Sequence, residues 1–103
     1  MAKFSLAVKP TFKAKIQMPV HGGESVELEF EFKHRTRDQL AAWSKTMTKM
    51  TDLEMLEDIL VGWNIEDPFN RESLELLIQN FYGAPMVLLV AYHDELKQAR
   101  QKN

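Results

Sequence analysis

The stretch Leu60-Val61-Gly62-Trp63-Asn64-Ile65-Glu66-Asp67-Pro68-Phe69-Asn70 decides how this chain divides. A helical pattern runs into it from Thr51, and another leaves it at Asn70. Gly62 is able to end a helix by taking a positive φ. Pro68 lacks a backbone donor and biases Asp67 away from helical angles. Trp63 and Phe69 are the bulky apolar groups that could pin this corner against the rest of the fold. By residue chemistry the stretch reads as a structural helix–turn–helix hinge. The competing reading makes it a recognition site carrying Trp63 and Phe69.

Upstream, the spacing of apolar residues changes from helical to alternating. Phe12, Ala14, Ile16 and Met18 share one face, with Lys13, Lys15 and Gln17 on the other. Val26, Leu28, Phe30 and Phe32 then alternate with Glu27, Glu29 and Glu31. Both segments are half-buried strands by their period of two. His21-Gly22-Gly23 between them supplies the positive φ values of a tight turn. A tip at Gly22 sets Met18 opposite Val26, Ile16 opposite Leu28, Ala14 opposite Phe30 and Phe12 opposite Phe32. The same register brings Lys15 to Glu29 and Lys13 to Glu31, so the outer face is charge-paired. A lone hairpin is marginal in water, so the helices downstream must cover its aromatic face. Ahead of the hairpin, Phe4, Leu6 and Val8 alternate as a short extended arm, and Pro10 limits regular pairing there.

Thr36 to Gln39 and Thr51 to Glu54 match capping boxes, which start the first and second helices. Leu40, Trp43, Met47 and Met50 follow at helical spacing, then Leu53, Leu56, Ile59 and Leu60. One kinked helix in place of these two is the alternative. Asn70 caps a third helix presenting Leu74, Leu77, Ile78 and Phe81. Gly83 ends it, and Pro85 opens a fourth. The expected bounds are about 11–33 for the hairpin and about 37–50, 52–62, 71–81 and 85–100 for the helices. The fold class is α+β: an N-terminal antiparallel β-hairpin packed on a bundle of about four α-helices, in a single domain over residues 1–103.

The fourth helix is unusual. Residues 86–92 are apolar all round, whereas a surface helix carries one apolar stripe. Either this half is central to the core, or part of it meets another chain. Met86, Leu89 and Tyr92 are the residues expected at such an interface. Trp43, Met47, Met50 and Met55 present a second choice between irregular core filling and an adaptable binding surface, and core filling is the simpler.

Composition narrows the function classes. With 103 residues, 13 basic and 15 acidic groups, the formal net charge is −2, which argues against nucleic-acid binding by bulk electrostatics. There is no cysteine, hence no thiolate chemistry. The apolar run at 86–92 is far short of the roughly 18–20 residues that span a bilayer, and the start does not read as a signal peptide. His21, His34 and His93 show no metal-ligand spacing. His21-Gly22-Gly23 has no accompanying nucleophile elbow, and there is no phosphate-binding glycine loop. No catalytic, cofactor or metal site is expected.

Three segments carry a family resemblance: Pro10-Thr11-Phe12-Lys13 leading to Pro19-Val20-His21-Gly22-Gly23; Phe30-Glu31-Phe32-Lys33-His34-Arg35-Thr36-Arg37; and Val61-Gly62-Trp63 with Asp67-Pro68-Phe69-Asn70, Leu74, Leu77 and Tyr82. In order and spacing, over nearly the whole chain, they resemble the tail assembly chaperone family of long-tailed bacteriophages. The resemblance implies a non-enzymatic assembly factor in the host bacterial cytoplasm, absent from the mature virion. It implies binding to the tape measure protein, a long helical chain kept soluble until tail tube protein polymerises around it. It further implies a homo-oligomer and a longer form of the chain made by translational frameshifting, joined near residues 97–103. The family supplies no fixed catalytic or binding residue. The alternatives are a structural tail or neck-completion protein retained in the virion, and a nucleic-acid-binding regulatory module, which the charge balance disfavours.

Overall fold

A computed structural model describes residues 3–98. The order of elements is β1 (Thr11–Pro19), β2 (Ser25–Lys33), α1 (Arg37–Met47), α2 (Asp52–Ile59), β3 (Leu60–Trp63), α3 (Arg71–Asn80) and α4 (Ala84–Lys97). A three-stranded antiparallel sheet in the order β1-β2-β3 is covered by helices, an α+β arrangement.

The hairpin has the expected register, from Met18 opposite Val26 to Phe12 opposite Phe32. Gly22 and Gly23 take φ of 97° and 83°, the left-handed values that a side chain would resist. Ala14, Ile16, Met18, Phe30 and Phe32 are buried on one face. Both threonine caps form in full: Thr36 and Thr51 accept from the backbone N–H of Gln39 and Glu54, whose side chains accept in return. Two orphan donors are thus satisfied at each helix start. The first pair of helices is therefore two helices and not one. α1 ends at Met47, three residues before the expected 50.

The corner at 60–70 departs most from expectation. The second helix does not reach Gly62; it ends at Ile59, and Leu60–Trp63 becomes a strand on β2. Phe30 lies opposite Trp63, Glu31 opposite Gly62 and Phe32 opposite Leu60, with an irregularity between Glu31 and Phe32. Asn64 extends the pairing: its N–H donates to the Glu29 carbonyl at 3.1 Å, and its Oδ1 accepts from the Glu29 N–H at 2.9 Å. Gly62 has no positive φ and does not act as a helix terminator. The cause is a competition that helical spacing does not register. β2 has a second edge with open donors and acceptors, and residues 60–63 satisfy them.

Smaller differences follow the same logic. α3 stops at Asn80, and the N–H of Phe81 closes its last bond to Leu77. Gly83 does not end α3; it stands at the start of α4, with Pro85 in the first turn where no donor is needed. The expected end of the fourth helix at 100, and the tail where an extension would join, fall outside the described residues except for Lys97 and Gln98.

A knot of polar groups ties the sheet to three helices. Tyr92 is fully buried, and its hydroxyl donates to the Lys33 carbonyl at 2.8 Å. Arg35 Nη1 donates to that hydroxyl at 2.8 Å and to the Asp58 carbonyl at 3.1 Å. Asp58 lies in the last turn of α2, so the guanidinium satisfies a carbonyl that helix geometry leaves open and offsets the negative end of the helix. The guanidinium carbon stands 4.8 Å over the Trp43 ring, whose Nε1 donates to Asp58 Oδ2 at 2.9 Å. Trp43 and Met55 are buried, and Met47 and Met50 pack against the same core. The methionine-rich helices thus fill the interior.

Candidate functional surface

The hairpin has two distinct ends. At the closed end His21 stacks on Phe81, with ring centroids 5.5 Å apart, so the end of α3 lies against the turn. Ala84 N–H bonds back to the Phe81 carbonyl at 3.0 Å, so α4 starts from the same place. α4 then runs along β1 toward the open end, where Tyr92 reaches Lys33 and Phe12.

Two apolar surfaces result. The first is a stripe along α4. Tyr82 is 99% exposed, Met86 62% and Val90 50%, while Leu89 is half-buried beside them. Residues four apart on a helix lie on one face, so Met86 and Val90 align; Tyr82 is exposed in the turn just before the helix. Leu88 and Tyr92, on the opposite side, are fully buried. An all-apolar helix start has therefore been divided into an inner face and an outer face.

The second is a groove of about 350 Å³ beneath the hairpin turn. Met18, Val26 and Leu28 form its sheet wall, with Trp63 and Ile65 at the corner. Leu76 and Leu77 of α3, with Phe81 just past its end, form the other wall, and Asp67 is its one charged lining residue. Val26 and Leu76 are 46% and 54% exposed. At the open end of the hairpin a different groove, of about 810 Å³, is lined by His34, Arg35, Arg37, His93 and Lys97 among others, with no carboxylate. In it, His93 Nδ1 donates to the Leu89 carbonyl at 3.0 Å, which leaves Nε2 facing Ser44 Oγ at 3.4 Å.

The five residues singled out from the sequence fall into three places. Trp63 and Phe69 meet edge to face at 5.1 Å, and Trp63 Nε1 donates to the Asp67 carbonyl at 2.8 Å, which closes the corner. Met86 lies on the outer side of α4, and Leu89 is half-buried against the core. Tyr92 does not join them: it is turned inward, and its hydroxyl is held by Arg35 and Lys33. Three residues were not anticipated. Leu76 stands off the apolar stripe of α3, which was a readable signal. Val26 follows the inward alternation of β2 yet stays half open, because the space over it is unfilled. Val90 gave no separate signal within an unbroken apolar run.

Burial pushes the Tyr92 phenol above its ordinary range, with the Arg35 guanidinium pulling the other way. Among the described residues no cluster of His, Asp and Glu converges as a metal site would. No single helix there is long and apolar enough to cross a membrane. The α4 face and the groove under the turn offer apolar side chains and little charge. In comparisons with known proteins, a family model described as phage tail assembly chaperone matches residues 1–103. Neither the curated proteins nor the solved structures yield a match.

Proposed function

The chain belongs to the phage tail assembly chaperone family, and on that premise we propose that it binds the tape measure protein and keeps it soluble during tail assembly. The observation that carries this reading is the outer face of α4, with Met86 and Val90 exposed at helical spacing and Tyr82 exposed in the turn before it. A long helical client exposes an apolar stripe of its own before the tail tube encloses it. Two such stripes pack side by side as helices do, with the polarizable Met86 adapting to an irregular partner. Each contact is small, but many copies on one client add their effects. Tail tube protein then competes for the same client surface and displaces the chaperone, which stays in the host cytoplasm and out of the finished particle. A frameshifted longer form would present the same surface joined to a second segment. The role is binding, not catalysis.

Co-expression with the tape measure protein tests the reading. The wild-type chain is expected to bring the client into the soluble fraction and to co-purify with it, at several copies per client. Met86→Glu with Val90→Glu places two charges on the stripe and is expected to abolish the rescue while the chain stays folded. Equal rescue by this variant would remove α4 as the client surface. Mass spectrometry of purified particles provides an independent check, because a chaperone of this kind is absent from them and a neck or tail component is present.

A further inference from the structure

We infer that the groove between α1 and the end of α4 receives a short acidic segment of a partner protein. The inference rests on the groove alone and stands whatever client the outer face of α4 takes.

Three permanent cations line this groove, Arg35, Arg37 and Lys97, with His34 and His93 beside them. Leu40, Ala41 and Leu96 supply its apolar part, and no carboxylate lines it. Asp38 and Asp94 follow Arg37 and His93 in the chain but are not part of the lining. Asp58, whose backbone carbonyl Arg35 holds, has its carboxylate engaged by Trp43 Nε1. Like charges gathered without a counter-charge repel one another, and the carboxylates of a ligand would relieve that repulsion.

Arg35 is the pre-organised part. It is half-buried, it bonds through Nη1 to the Tyr92 hydroxyl and the Asp58 carbonyl, and its guanidinium stands over Trp43. A guanidinium has five N–H donors in a fixed fork. Both protein bonds use Nη1, so among the described residues Nε and Nη2 have no acceptor. An arginine immobilised in this way, with donors to spare, suits the two oxygens of a carboxylate. Arg37 and Lys97 are exposed and, among the described residues, form no ion pair. Their charge is available to further carboxylates on the same segment.

The surroundings favour a short peptide over a long polyanion. His34 and Leu96 also line a neighbouring groove, and there the lining includes Glu31 and Glu95. The positive patch is therefore bounded, and a nucleic-acid strand leaving it would meet carboxylates on a chain of net charge −2. The volume, about 810 Å³, lies within the range of ligand pockets, roughly 300–1,000 Å³, and accommodates a few side chains. Leu40 and Leu96 favour an aliphatic residue set among the acids over a bare anion.

The test is an NMR titration of the isotope-labelled full chain, at low salt, with an acetylated and amidated peptide of glutamate and leucine. The same peptide with glutamine for glutamate is the comparison. The acidic peptide should shift signals of residues 36–44 and 93–97, and the glutamine peptide should bind about tenfold more weakly or less. Arg37→Glu with Lys97→Gln should weaken the acidic peptide about tenfold. Lys45→Glu with Lys49→Gln makes the same change in net charge at exposed positions outside the groove, and should leave binding within about twofold. All four positions are exposed, so both variants are expected to keep the wild-type circular dichroism spectrum. Absent shifts, shifts centred elsewhere, equal binding of the glutamine peptide, or equal loss in the two variants would each overturn the proposal. Tighter binding of inorganic phosphate or of a single-stranded oligonucleotide at these residues would also overturn it, in favour of a bare-anion or nucleic-acid site. The tape measure protein takes no part in this assay, so its failure leaves the α4 reading standing, and the converse.

Discussion

Tyr92 is the residue on which the polar interior converges. Its hydroxyl joins the end of β2 to Arg35, and through Arg35 to the last turn of α2. Tyr92→Phe keeps the ring but leaves the Lys33 carbonyl without its donor, and removes an acceptor from Arg35. The expected loss is about 1–3 kcal/mol, measured by urea unfolding. The raised phenol pKa adds a pH dependence with a definite sign. The folded chain favours the neutral phenol, so its contribution is fully present below the unfolded tyrosine pKa of about 10 and is lost as pH rises through the folded value. Stability should therefore fall more steeply with alkaline pH in the wild type than in Tyr92→Phe. At this scale the sequence was a poor guide. Met86, Leu89 and Tyr92 look alike in an apolar run, and only the partners waiting for the hydroxyl distinguish the third.

At the scale of elements, two glycines with different surroundings make opposite predictions. Gly23 has φ of 83°, so Gly23→Ala imposes strain and should cost about 1–2 kcal/mol. Gly62 lies in β3 with no such φ, and an added Cβ would meet only Glu31 atoms at 3.7–3.9 Å, an ordinary contact. Gly62→Ala should be neutral or stabilise by about 0.4–1 kcal/mol, by restricting the unfolded chain. Thermal unfolding of the two variants also checks the strand itself. A helix ending at Gly62 would make alanine there costly, as it is at Gly23. The hairpin was legible because period-two alternation, paired charges and two glycines all agree. The helix starts were legible because each capping box is a local four-residue device. β3 was not legible, because its four residues pair with a segment some thirty positions away, and no local period records that partner.

The whole molecule is defined by its two unlike ends. The open end mixes Lys9, Lys13 and His34 with Glu31 and Glu95, whereas the turn end carries the apolar groove with Asp67. Raising the ionic strength from low salt to several tenths molar shortens the screening length well below about 10 Å. Client binding through Met86 and Val90, neither of them charged, should change little over that range, which co-purification across a salt series checks.

The amino-acid sequence by itself determined the hairpin with its register, both capped helix starts, the α+β class and the family resemblance, because these rest on local spacing and on residues within one or two turns of each other. Tertiary structure alone decided that residues 60–63 pair as a strand and that α4 turns Tyr92 inward and Met86 outward. Each of those outcomes depends on what the rest of the chain leaves unsatisfied. An open strand edge, a bare helix-end carbonyl and an uncovered aromatic face come into existence only once the other elements are in place.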